Sequence, residues 1–397
     1  MRAEPLLAPA KPAASLRRDP WRLFFPLAVL LGWAGVLHWF LHAVGATGRY
    51  DAVFHATAQI QGFVTGMAFG FLFTFIPRRT GTAPPSPLDL VAGVVAPVGA
   101  TLAAWEGRWA LAQVVWGGGL AVVIVFVARR LLAAGGARRV PEVFVWVPVA
   151  LFAGLAGAAL VAVAAVLGPH EEPRLWQLGR GWLLQGFVTA LVVGVGGTMM
   201  STLTRGAPGP DNATGAWTGW AGQLGAAVLF LASFPVEVYV GPRPGFALRA
   251  IVAGGVLVAA ARLWRPPSVP GLHRRLIWLS GWLLPLGYVA AAIDPALRSA
   301  ALHITFIGSF ALVALSVSLH VALSHGGRPE RLAGSPWAVR AMGVLLLAAV
   351  AFRLLVGVDP AHLAPWLGAS SGCFLLATIA WASLVLPAIR AAGARGG

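Results

Sequence analysis

HATAQIQGFVTGMAFGFLFTFIPRRTG, residues 55–81, carries no Asp, Glu, Lys or Arg between its opening histidine and the arginine pair at 78–79. A bilayer core asks about 20 predominantly apolar residues of a helix. A membrane β-strand would instead alternate apolar and polar side chains at every second position, which this stretch does not do. It reads as a transmembrane helix whose basic end is held at a water interface. Outward from it, apolar runs recur at roughly 22–46, 54–76, 87–105, 109–130, 142–167, 178–202, 217–240, 247–264, 274–293, 300–323, 336–357 and 364–389. With 58% hydrophobic and only 11% charged residues and a mean hydropathy of +0.79, the chain cannot cover itself with a water-soluble surface. The expected fold class is all-α, a polytopic transmembrane helical bundle of about 12 spans.

Basic residues near span ends are retained in the cytoplasm. With the N-terminus inside, the inner segments hold 21 of the 29 Lys and Arg residues and the outer ones 8. Both termini are therefore expected to be cytoplasmic. Residues 1–20 are basic, rich in proline and alanine, and short of the apolar core of a cleaved signal peptide. They read as a disordered cytoplasmic tail, residues 21–390 as one transmembrane domain, and residues 391–397 as a second short cytoplasmic tail. The net charge of +16 is spread over alternate loops, with no stripe and no recognisable binding module, so nucleic acid is not an expected partner. The lipid bilayer is, and no loop carries a recognisable protein-docking motif.

Cys373 is the single cysteine, which rules out an intrachain disulfide or a thiolate cluster. No loop is long enough to fold alone, so the chemistry belongs inside the bundle. Nucleotide-binding, HExxH, CxxC and Ser-His-Asp motifs are absent. The tryptophans, Trp21, Trp39, Trp105 and Trp366 among them, read as an interfacial belt.

Three spans vary one pattern. QGFVT occurs at 61–65 and again at 185–189, and each copy leads to a basic turn closed by glycine, Gly81 and Gly206. A third copy runs from Gly308 to Gly327. Copies four spans apart suggest an ancestral unit of four helices. The glycines that thin these spans, such as Gly62, Gly66, Gly70, Gly194, Gly196 and Gly197, suit close helix packing or the face of a flat cofactor. Gln59, Gln61, Gln113, Gln185 and Gln223 read as interhelical hydrogen-bonding residues.

Polar groups at membrane depth are costly and ask for a reason. His38 and His42, four apart on one helix face, and His55 and His303 at the starts of two copies of the repeat all fall at similar depth near the outer face. Neutral imidazoles from facing helices can hold haem iron or copper. The opposing reading is interfacial histidines bonded to water and head groups. Arg180, one position off the place of His55 in the repeat, suits a haem propionate or ordinary snorkelling.

At these residues the chain resembles the NnrS family of bacterial membrane proteins. The resemblance runs through DPWRLFFPLA (19–28), His55 with GF at 62–63, FLFTFIPRRTG (71–81), GRGWLLQGF (179–187), GVGG (194–197), LH (302–303) and SHGGRP (324–329). It implies a multi-pass protein of the bacterial inner membrane associated with haem b and copper and linked to nitric oxide metabolism or relief of nitrosative stress. His55 and His303 are then the candidate metal ligands, and His38, His42 and Arg180 further candidate cofactor contacts. Where the family often places a second histidine and a glutamate, this chain has Thr57 and Ala58, and where an arginine is common late in the tenth span it has His320. The alternatives are a haem-free permease or membrane scaffold, and a nitric oxide sensor without turnover.

Overall fold

The computed structural model describes residues 16–133, 141–206 and 217–395. Twelve of its helices are long and apolar enough to cross a membrane: α1 Trp21–Ala43, α2 Ala52–Thr80, α3 Pro87–Trp105, α4 Trp109–Ala133, α5 Glu142–Leu167, α6 Pro173–Arg205, α7 Gly219–Tyr239, α8 Pro242–Ala260, α9 Leu272–Ile293, α10 Pro295–His325, α11 Trp337–Val358 and α12 Pro360–Ala392. No strand occurs among the described residues. The chain is an all-α multi-pass inner-membrane protein. Large apolar side chains face outward, Leu132, Val166 and Ile251 among them, while glutamines and an arginine lie inside, the arrangement lipid demands and water forbids.

Of the tail expected at 1–20, residues 1–15 lie outside the described residues, and residues 16–18 form a helical turn leading to α1. At the other end, helix continues through Arg395. The eighth span starts at Pro242 and ends at Ala260, shifted towards the N-terminus from the 247–264 expected. Proline is favourable in a first turn, and Arg262, with φ of 50°, turns the chain away beyond Ala260.

Helix neighbours follow the fourfold spacing of the repeat. In each of the units α1–α4, α5–α8 and α9–α12, the first helix packs on the second and the third on the fourth. The fourth then packs on the first of the next unit: α4 on α5, α8 on α9, and α12 back on α1. The ring is closed, and the second helices α2, α6 and α10 are the most buried of all the spans.

Local geometry repeats as well. Each of α2, α6 and α10 is interrupted by a π-helical segment, Ala58–Val64, Gly181–Gly186 and Ile304–Ala311, which contains its repeat glycine, Gly62, Gly186 or Gly308. Each also ends at its terminal glycine in the left-handed region, Gly81 at φ 68°, Gly206 at 70° and Gly327 at 65°, a conformation that costs glycine nothing. A glycine of the preceding helix receives each π segment. A Cβ on Gly35 would stand 2.8 Å from Ala58 Cβ, one on Gly157 2.6 Å from Leu183 N, and one on Gly287 2.8 Å from Thr305 N. Lipid gives helices no hydrophobic reason to associate, so close backbone approach through small residues does that work. Gly66, Gly70 and Gly194 pack in the same way: Gly66 meets Ala28, Gly70 meets Phe24 and Phe25, and Gly194 meets Trp146 and Val147.

Candidate functional site

A cavity of about 560 Å³ opens where α2, α6 and α10 begin, walled further by α1, α11 and α12. Its volume lies in the usual range of ligand sites, about 300–1,000 Å³. Trp39, Tyr50, Phe63, Phe306 and Phe374 supply aromatic walls, and His55, His303, Arg180, Arg298 and Arg353 reach it. The π segments lie beside it, where an extra residue in the turn re-aims side chains without breaking the helix.

His55 and His303 come from α2 and α10, and their rings stand 6.5 Å apart, centroid to centroid, with planes inclined by 22°. His55 Nδ1–H donates to the Gly35 carbonyl at 2.7 Å, and His303 Nδ1–H donates to the Ser299 carbonyl at 2.6 Å. Both neutral imidazoles therefore carry their free lone pair on Nε2. At His303 that lone pair accepts from Arg353 Nε at 3.2 Å. Gly35, which packs α1 on the π segment of α2, thus also fixes the tautomer of His55.

The other expected site residues are placed differently. His38 is buried behind His55 with 6.2 Å between ring centroids, packed against Trp39 and Phe54, and neither of its ring nitrogens has a hydrogen-bond partner among the described residues. His42 lies against Tyr50, with 5.2 Å between ring centroids. Neither lines the cavity. Arg180 does, with its guanidinium 5.6 Å from the Trp176 ring and no hydrogen bond or ion pair to any described residue.

One polar cluster was not anticipated. Arg249 of α8 is fully buried. It donates to Glu237 Oε2 at 2.8 Å, to Gln185 Oε1 at 2.7 Å and to Ser233 Oγ at 3.1 Å, with its guanidinium 3.7 Å from the Phe234 ring. Arg249 on α8 and Glu237 on α7 are twelve residues apart in the chain, and their place on helices that face each other is what joins them. Gln61 makes the equivalent bond to Gln113 of α4, at 2.9 Å. In both units the glutamine just before the repeat glycine ties the second helix to the fourth.

Gln59 donates to the Gly32 carbonyl at 2.7 Å, and Gln223 accepts from Trp146 Nε1 at 2.9 Å, so Gln59, Gln61, Gln113, Gln185 and Gln223 all make interhelical bonds. At the opposite end of the bundle His273 Nε2 and His320 Nδ1 approach to 3.2 Å, a pair between α9 and α10 that their sequence separation concealed. Trp21, expected at an interface, is fully buried, as are Trp116, Trp146 and Trp381.

No group of three or more His, Cys, Asp or Glu side chains suited to a metal ion occurs among the described residues. Comparison with curated proteins finds no match. The family model described as NnrS protein matches residues 15–392, and with nearly its whole length covered the chain belongs to the NnrS family.

Proposed function

We propose that the protein is a haem protein of the inner membrane, both termini cytoplasmic, that binds or helps to process nitric oxide or a related species, with haem b held in the cavity between His55 and His303. The carrying observation is that pair of imidazoles, each fixed through Nδ1 with its lone pair on Nε2, a lone pair that at His303 accepts from Arg353 Nε and would exchange that bond for iron. His55 and His303, from facing helices and with ring centroids 6.5 Å apart, are the residues that would hold the haem iron. The unpaired Arg180 suits a propionate carboxylate, and the aromatic walls suit a porphyrin face.

Haem iron, when bound, supplies gas ligation and one-electron chemistry. The chain's part is to hold two neutral imidazoles in one tautomer, to set aromatic side chains along the cavity, and to offer fixed positive charge to carboxylates. Copper fits less well. With Thr57 and Ala58 following His55, and no three-ligand cluster among the described residues, no copper-dependent role is assigned.

The test is the oxidised and dithionite-reduced optical spectrum of detergent-purified protein from haem-replete cells, with iron and copper analysis. A Soret band and about one iron per chain are expected, and His55→Ala or His303→Ala should remove the haem or change its ligand-field spectrum. Colourless protein would overturn the reading. It would favour a permease, which three related helices around one axis also suit. Haem that binds nitric oxide without turnover would indicate a sensor.

A further inference from the structure

Beyond the histidine cavity, further along the same three helices, a second cavity of about 120 Å³ lies between α2, α6 and α10, with Phe25 of α1 and Ile277 of α9 also in its wall. Its wall obeys the repeat. Each of α2, α6 and α10 contributes the residues 2, 5, 6, 9 and 10 places after its repeat glycine, from Val64, Val188 and Phe310 at one end to Leu72, Gly196 and Ser318 at the other. The cavity therefore follows the pseudo-threefold axis of the bundle.

Its chemistry is almost wholly apolar. Ser318 carries the only side-chain nitrogen or oxygen in the described wall, and its hydroxyl is already engaged, donating to the Leu315 carbonyl at 3.0 Å and accepting from Trp381 Nε1 at 3.0 Å. A buried water needs two to four polar partners, whereas an apolar cavity of roughly 150 Å³ stays dry and takes xenon or benzene. One position keeps the space clear. A Cβ on Gly196 would meet nothing closer than Met200 Cε at 3.8 Å, so this glycine, unlike Gly194 or Gly66, is not required by a neighbouring helix. Val64 walls both this cavity and the one that holds His55 and His303.

We propose that this axial cavity is a binding site for small, uncharged, apolar molecules of the size of xenon or a diatomic gas, adjoining the histidine cavity through Val64. The proposal stands whether or not haem is present. Xenon is the probe, applied under pressure to the purified full-length protein and followed by 129Xe NMR. One saturable site is expected. Gly196→Leu and Ala314→Leu, filling the space from two different helices, should each weaken xenon binding at least tenfold. Gly222→Ala, at an outward position with nothing within 4 Å of its Cβ, should leave it unchanged. No saturable binding to the unaltered protein would overturn the proposal. So would saturable binding that survives in whichever of the two filled variants folds. Because xenon needs no haem, a colourless protein that binds xenon would refute the haem reading alone.

Discussion

His55 and His303 share one chemical device. A backbone carbonyl accepts a hydrogen bond from Nδ1–H, and the tautomer is settled before any ligand arrives. Arg249 shows the opposite situation, a charge that has to be satisfied by the protein itself. It is fully buried and its partner Glu237 nearly so. Removing one member of such a pair leaves the other desolvated, at a cost of about 3–5 kcal/mol, while replacing both with apolar residues is often neutral. Glu237→Leu alone should therefore lower the unfolding midpoint in detergent sharply, and Glu237→Leu with Arg249→Met should restore much of the loss. Equal destabilisation in single and double variants would place the cost in packing rather than charge. At this scale the sequence is informative about which side chains are costly at membrane depth. It says little about which of them meet: the 6.5 Å pair joins helices 248 residues apart in the chain, and His38 and His42 share a helix face yet stand outside the cavity.

Among elements, the π segments set α2, α6 and α10 apart from their neighbours. Each occupies the same stretch around its repeat glycine, and each is received by a glycine of the preceding helix. A methyl group at Gly157 would have to displace the backbone of α6 at Leu183. Overpacking of this kind typically costs about 1–3 kcal/mol. Gly157→Ala and Gly287→Ala should lower thermal stability by that order, with Gly222→Ala within about 1 kcal/mol of the parent, as read from unfolding followed by circular dichroism. The repeat itself was legible from QGFVT and the terminal glycines, because a left-handed helix end leaves a residue-level mark. The π turns were not, since their hydrogen bonding leaves no fixed residue type behind. The span limits were legible to within a few residues, because hydropathy changes where lipid ends.

At the scale of the whole molecule, three units of four helices close on themselves when α12 packs on α1. Trp33 of α1 donates to Thr378 of α12 at 2.8 Å, and the two helices run antiparallel, so the first and last described residues lie at one end of the bundle. Chains whose ends lie close together tolerate re-ordering. A circular permutant that joins the native termini by a flexible linker and opens between α4 and α5 should insert and fold. The check is a monodisperse peak in gel filtration and an unchanged far-UV spectrum, and aggregation of the permutant with normal behaviour of the parent would count against equivalence of the units.

The contacts of α4 with α5, α8 with α9 and α12 with α1 are all of one kind, the last helix of a unit against the first of another. Such a head-to-tail surface is heterologous, and a heterologous contact that closes after three steps defines a cyclic trimer. A separate unit like α1–α4 would thus have to trimerise to bury both of its faces. Within one chain the three units need not be identical, so one can bring Arg180 to the cavity where the other two bring His55 and His303.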